Sequence, residues 1–395
     1  MRKREPFLLM LFAFSLCMGC ELFSPKKTPG DMQSKRKTTY QYFGTVCFAS
    51  VYDDFRSDPS AATRFETAWN EIIGMLGRLE ASASVEKAGG DIRRFNEARG
   101  GETIPISPMT AEIVDLAKQF YEFTDGAYNP AVANLVDLWG FSPRFRNGSG
   151  TKMPYDRPMN EDGSFDLPDP RYVEAFRKLS DFSKVRLEGD RGSGFFLIKD
   201  AENIEIDGVS YPLKIDLGGI AKGYGAEKAG AILRSHGYEY GYVNLGLSSM
   251  SLLKRNVADS GAPSKNMWAV NISNPDDKSR DFLSVFGKDV GVSTSGTYDM
   301  HYSIDGRDYS HIIDTQTGEP TRSDIMSVTV LGPDAGRDDA LSTALCVMGR
   351  KKAVGFMKSK LKDYRIALIV RRTDGGLELA TNIVRGYYAK GKRPR

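Results

Sequence analysis

Between Lys214 and Gly237 the chain reads KIDLGGIAKGYGAEKAGAILRSHG: a short apolar strand runs into a double glycine, and a helical pattern follows at once. A strand that becomes a helix across Gly218–Gly219 brings backbone N–H groups close to whatever lies in the turn, and the start of a helix favours negative charge. Two familiar phosphate-binding grammars do not fit. A P-loop needs Ser or Thr after Gly-Lys, whereas Lys222 precedes Gly223; a dinucleotide fingerprint begun at Gly223 meets Lys228 where its third glycine belongs. What remains is a tight turn with Lys222 in the first helical turn, where a cation opposes the helix dipole unless an anion answers it. A bound phosphate is the expectation here, with a purely structural strand–turn–helix as the alternative.

The chain of 395 residues, 41% apolar and 27% charged, is long enough for one large or two modest globular domains. A formal charge of +3 and the absence of RRM, finger or basic-region patterns set nucleic acid aside. Residues 1–19 read as a secretory signal, a charged MRKREP followed by an apolar run too short to span a bilayer. Cys20, directly after Gly19, resembles the lipid-bearing first residue of a bacterial lipoprotein; simple cleavage is the alternative. Residues 20–39 are polar and basic and suit a flexible tether. Folded structure is then expected over 40–395, with a surface loop at 142–168 where Pro, Gly, Asn and Asp show no period. Cys47 and Cys346 sit among apolar residues and read as buried free thiols, and three histidines make a His-rich zinc site improbable.

Apolar residues at three- and four-residue spacing mark a helix over Arg64–Leu79 and a second beginning at Thr110 as N-cap. Strands fit FGTVCFASVYDD, KVRLEG, FFLIKD, YGYVNLGL, WAVNIS, GVSTS and SVTVLGP, and further helices fit Tyr172–Leu179, Ile220–Ser235 and Arg337–Met348. The predicted class is α+β, with mixed, largely antiparallel sheets and packed helices.

Three more segments carry chemistry. In GRDDALSTALCVMG a helix sets Asp339 on one face with Ser342 and Thr343, at i+3 and i+4; a carboxylate, hydroxyls and a nearby carbonyl are oxygen ligation suited to Mg²⁺, while an ordinary first-turn acid is the bland reading. STSGTYDMHYSIDGRDYSHIIDTQTGEP joins small hydroxyls beside Gly296 to a hairpin turn at Asp305–Gly306 and then to His311 near Asp314, a potential acid/base pair. DGAYNPAVANLVDLWGF opens a turn at Asn129–Pro130 and packs a helix behind it.

In this order the four segments resemble the ApbE family, the FAD:protein FMN transferases, whose pattern runs from GaYDPtv…LvnlWGF through DLGGIAKG and STSG…YSHIIDPxTG.P to DALATA; the likeness covers most of residues 40–370. The resemblance implies an enzyme outside the cytoplasm that binds FAD, holds Mg²⁺ on its pyrophosphate and transfers FMN to a Thr or Ser hydroxyl of another protein, releasing AMP. Carried over motif by motif, it places Mg²⁺ on the Asp339 carboxylate and Thr343 hydroxyl, with main-chain carbonyls at Ala221 and Ser342. It turns Gly218, Gly219, Lys222, Ser295 and Gly296 toward the FAD phosphates. It makes His311, oriented by Asp314, the base for the acceptor hydroxyl, and sets Tyr128, Asn129 and Trp139 along or behind the nucleotide pocket.

Asn129 stands where the family has Asp, Thr315 where it has Pro, and NLGLSSM where it has NLGGNI. A Mg²⁺-dependent FAD pyrophosphatase and a non-catalytic FAD-binding lipoprotein are the alternatives. The implied acceptors carry Asp-x-x-(Ser/Thr)-Gly-Ala-(Thr/Ser) and are redox subunits of the Rnf or sodium-pumping quinone oxidoreductase kind. The implied location is the periplasmic face of a bacterial membrane, the inner membrane before the outer, through a lipid anchor at Cys20.

Overall fold

Eight strands of the main sheet lie side by side in the order in which the chain makes them: β1 (Gln33–Thr39), β2 (Cys47–Asp53), β3 (Gly241–Leu245), β4 (Ser249–Leu252), β5 (Val290–Gly296), β6 (Ile325–Gly332), β7 (Arg365–Arg371) and β8 (Leu377–Thr381). Every neighbouring pair is antiparallel. The computed structural model describes residues 32–142, 166–257 and 266–390. Antiparallel neighbours need only short hairpins, so the long connections are insertions. Between β2 and β3 come α1 (Pro59–Ala83), α2 (Asp91–Glu97), α3 (Pro108–Phe123), α4 (Ala133–Leu138), α5 (Pro170–Leu179) and α6 (Gly218–Ser235). Between β6 and β7 comes α7 (Ala335–Lys360). This is the expected α+β architecture.

Alternation along β7 shows what covers each face of the sheet. Ile366, Leu368 and Val370 join the core shared with the helices, while Ala367 and Ile369 join a second core beneath a small sheet made by Trp268–Asn274, Asp277–Gly287 and Tyr388–Lys390. A strand buried on both faces reads as the unbroken apolar run Ile366–Val370. On the first face α6 and α7 pack against each other and against β3 to β6. Cys47 and Cys346 are free and buried, and burial pushes their thiols up to about 11 and about 12, which keeps both protonated and inert.

Three of the boundaries that differ from the sequence expectation have a clear physical cause. The tether expected over 20–39 gives way at Gln33 to β1, which pairs with β2 from Gln33 opposite Asp53 to Thr39 opposite Cys47. An edge strand with one solvated side carries charge rather than an apolar stripe; Arg36 lies 4.5 Å from the centre of the Phe48 ring, and Lys37 pairs with Glu66. The second helix is capped by Ser107, not Thr110, because Pro108 takes the first helical position and Thr110 N–H donates to the Ser107 hydroxyl (3.2 Å). The helix expected to stop at Met348 does break there, at Gly349 with φ 69°, but α7 resumes beyond the kink, where Arg350 N–H donates to Asp324 Oδ1 (2.9 Å). Cys20 and most of the 142–168 loop lie outside the described residues.

One buried amine in the inserted region gives the fold a pH signature. Lys199 is fully buried; its Nζ donates to the Ala98 carbonyl (2.7 Å) and sits 4.7 Å from the centre of the Phe95 ring. Burial first, and Lys214 second, pull its pKa down to about 7. The unfolded chain keeps that proton up to about pH 10.4. Between about 7 and that value the unfolded state therefore binds more protons, and stability rises with pH by at most about 1.4 kcal/mol per unit. Urea denaturation at pH 7, 8 and 9 should show this climb, and Lys199→Met should flatten it.

Candidate active site

On β5, Ser293 and Ser295 point the same way, as strand residues two apart must. They meet the face of α7 that carries Asp339, Ser342 and Thr343. Ser293 Oγ donates to Asp339 Oδ1 (2.8 Å), while Ser295 Oγ lies 2.7 Å from Ser342 Oγ and 3.2 Å from Thr343 Oγ1. Ser342 Oγ also donates to the Asp339 carbonyl (2.9 Å). The other oxygen of Asp339 accepts from Gly223 N–H of α6 (3.0 Å). A Cβ at Gly223 would stand 2.1 Å from the Ala335 carbonyl oxygen and 2.7 Å from Asp339 Cβ, so only glycine lets the two helices come this close. Ala221, a further expected ligand through its carbonyl, lies two residues earlier on α6 and is buried.

The glycine turn lies over this cluster. A Cβ at Gly219 would be 3.3 Å from both Thr343 Oγ1 and the Tyr128 ring. Tyr128 is buried, its hydroxyl has no hydrogen-bond partner among the described residues, and burial pushes its pKa well up, with Asp339 and Asp216 adding to the shift. Asp216 was not singled out in the sequence. It caps the turn, its Oδ1 accepting from Gly218 N–H (2.7 Å), and the signal was an Asp two residues before a helix start. Lys222 reaches back to the Gly218 carbonyl (3.0 Å), and its stem runs beside Gly246 in the β3–β4 turn. A carboxylate thus stands at the start of α6, and Lys222 follows it in the first turn. Ser293 was also missed; its signal was one hydroxyl two residues before Ser295.

A second group gathers around the 301–320 segment. Asp305 and Gly306, with φ of 51° and 74°, form the expected hairpin turn between His301–Ile304 and Arg307–Ser310. Four rings stack from Trp139 to Tyr309 (5.5 Å), Tyr309 to Tyr302 (5.6 Å) and Tyr302 to Phe141 (5.2 Å). Trp139 Nε1 donates to the Gly318 carbonyl (2.8 Å), so this buried indole supports the loop. The orienting group near His311 differs from expectation. Its Nδ1 lies 3.2 Å from the Met300 carbonyl, whereas Asp314 Oδ1 accepts from Gln316 N–H (2.9 Å) and closes its own turn. Gly296 pairs with Ser327 at the end of β5, and a Cβ there would meet the Tyr298 ring at 2.8 Å, so it makes room for a tyrosine. The two groups join at Tyr128–Pro130: Tyr128 faces the carboxylate cluster, Asn129 faces the 311–320 segment, and Asp216 N–H donates to the Pro130 carbonyl (2.8 Å).

Among the described residues no group of three or more His, Cys, Asp or Glu side chains is placed to hold a metal, and no basic side chain forms an ion pair with Asp339. A buried carboxylate compensated only by neutral donors, with hydroxyls and the orphaned Tyr128 hydroxyl around it, fits a hard cation that takes its remaining oxygens from water or substrate.

The ApbE family pattern matches residues 43–368. The chain belongs to the ApbE family. Its relatives include the FAD:protein FMN transferase of Salmonella typhimurium, 31% identical over 87% of this chain and 86% of that one, and that of Vibrio cholerae, 28% identical over 82% and 86%. Among solved structures, the flavin transferase ApbE from Vibrio cholerae superposes with a TM-score of 0.67 at 25% identity, covering 89% of this chain and 97% of that one.

Two departures from the ApbE pattern touch each other. Asn129 Nδ2 donates to the Thr315 hydroxyl (2.9 Å) and to the Ser180 carbonyl (2.8 Å), while its Oδ1 accepts from Ala131 N–H (2.9 Å). An ionised Asp at 129 keeps the last contact but faces the Ser180 carbonyl with no proton to give. Asn129→Asp should cost about 1–3 kcal/mol of stability at neutral pH, and part of the loss should return below about pH 4, where the carboxyl can donate. Urea denaturation at both pH values checks this.

Proposed function

We propose that this ApbE-family protein is an FAD:protein FMN transferase. The observation that carries the reading is the buried Asp339 carboxylate set among the Ser295, Ser342 and Thr343 hydroxyls beneath the Gly218–Gly219 turn. In the reaction the hydroxyl oxygen of an acceptor Thr or Ser attacks the phosphorus of the FMN half of FAD. The bond from that phosphorus to the bridging oxygen breaks, and AMP leaves with the electron pair.

Each part of the site suits a task. Mg²⁺, held by the Asp339 carboxylate and Thr343 hydroxyl with the carbonyls of Ala221 and Ser342, would neutralise charge on the pyrophosphate oxygens. Lys222 adds a positive charge at the mouth of the turn, where developing negative charge is stabilised most if the donor is already in place. His311, whose Nδ1 lies 3.2 Å from the Met300 carbonyl, takes the proton of the acceptor hydroxyl.

The proposed acceptors are redox subunits of the Rnf or sodium-pumping quinone oxidoreductase kind. Lipidation at Cys20 would hold the enzyme on the periplasmic face of the inner membrane. Among the described residues no helix is long and apolar enough to cross a membrane.

The test incubates the chain from Glu21 onward with FAD and Mg²⁺, with and without a domain bearing Asp-Gly-x-Thr-Gly-Ala-Thr, and reads intact mass and free nucleotides. The expected result is an acceptor mass gain of FMN minus water with one AMP released per label. Asp339→Ala should slow it by about 10²-fold or more. Free FMN and AMP without a labelled acceptor would make the protein a pyrophosphatase, and intact FAD throughout would leave a binding protein.

A further inference from the structure

The turn between β3 and β4 carries an apolar side chain in a place its own fold does not reward. Leu247 has φ of 59°, a left-handed conformation that residues with a Cβ rarely adopt, and it is 71% exposed. The backbone around it is fixed on three sides. Gly246 N–H donates to the Val46 carbonyl (2.8 Å), Leu247 N–H to the buried Asn244 Oδ1 (2.9 Å), and Thr294 N–H to the Ser248 carbonyl (2.8 Å). The leucine is therefore held out by a rigid turn, and folding gains almost no burial from it.

Its position supplies a use. Gly246 abuts the stem of Lys222, whose ammonium sits on the Gly218 carbonyl, and Gly219 lies over Thr343 and Tyr128. A path of direct contacts thus runs from the leucine turn to the carboxylate cluster. On the other side of the turn, Ser249 Oγ lies 3.1 Å from Ser293 Oγ, which holds Asp339. Leu247 follows Gly246, the residue that abuts the Lys222 stem, and so stands at the edge of the site.

We infer that Leu247 is a specificity-determining contact for the acceptor polypeptide, covered by an apolar side chain that flanks the acceptor hydroxyl when that hydroxyl enters the site. The inference rests on the transferase reading, since that reaction requires a second polypeptide to reach this rim. An apolar group at a rigid lip gains free energy only when a partner excludes water from it, and a conformation strained in the free enzyme is tolerated where binding uses it.

The test measures acceptor KM, FAD affinity and melting temperature for wild type, Leu247→Gly and Leu247→Met, using the Asp-Gly-x-Thr-Gly-Ala-Thr domain as acceptor and flavin fluorescence for FAD. Covering about half of a leucine corresponds to about a tenfold rise in acceptor KM for Leu247→Gly. FAD affinity should stay as in wild type, and the melting temperature should rise by about 2 °C, because glycine accepts this φ without strain. Leu247→Met should keep acceptor KM within about twofold. An unchanged KM for Leu247→Gly, or an equal loss of FAD affinity, overturns the inference while the labelled acceptor still upholds the transferase. A wild-type enzyme that never labels the acceptor overturns both.

Discussion

A carboxylate taken out of water must find donors, and the way Asp339 finds them ties three elements together. Its two oxygens accept from a β5 hydroxyl and an α6 amide, so the carboxylate of α7 is held from the sheet below and from the neighbouring helix. The amide can reach it only because position 223 has no side chain, and a Cβ there would overlap both Ala335 and Asp339. The α6–α7 approach and the aim of the carboxylate are one constraint. The glycine turn follows from it, since α6 begins five residues earlier and its start is carried over Thr343 and Tyr128.

The meander explains how residues far apart in sequence reach one place. β4, β5 and β6 are central strands, and α6 and α7, inserted on either side of them in the chain, return to the same face. Tyr128 arrives with the long excursion between β2 and β3, and the 301–320 segment with the excursion between β5 and β6. The sheet fixes the cluster that faces its helix layer, whereas the His311 group is held by its own aromatic stack and by Trp139. A half built on the main sheet and its helices thus meets a half built on a hairpin and its aromatic stack.

Much of this was legible in the chain. The strand runs of β3, β5 and β6 stand out because strands buried on both faces need apolar or small residues throughout, and the Asp339–Ser342–Thr343 face follows from helical spacing alone. β1 was hidden because an edge strand clothed in Lys and Arg has no apolar period to detect. The Met300 carbonyl beside His311 was hidden for a different reason: a backbone acceptor has no side-chain identity, so only the folded hairpin reveals it. The Asn129–Thr315 pair appeared in the sequence as two unrelated oddities, and they are one contact across 186 positions.

The acid beside Asp339 meets the opposite fate. Asp338 points to the sheet side of α7, against Gly291 and Gly332, which oppose each other on β5 and β6; a Cβ on either glycine would fall within 2.4 Å of an Asp338 carboxyl oxygen. Gly332 N–H reaches one oxygen (3.1 Å), the other has no partner among the described residues, and burial, followed by the nearby Asp334, pushes the pKa far up. A carboxyl withdrawn from water with a donor for only one of its oxygens is favoured in its neutral form. Donors reach both oxygens of Asp339 and only one of Asp338, and burial favours the protonated form of Asp338. The two paired glycines make space for that neutral acid beneath α7.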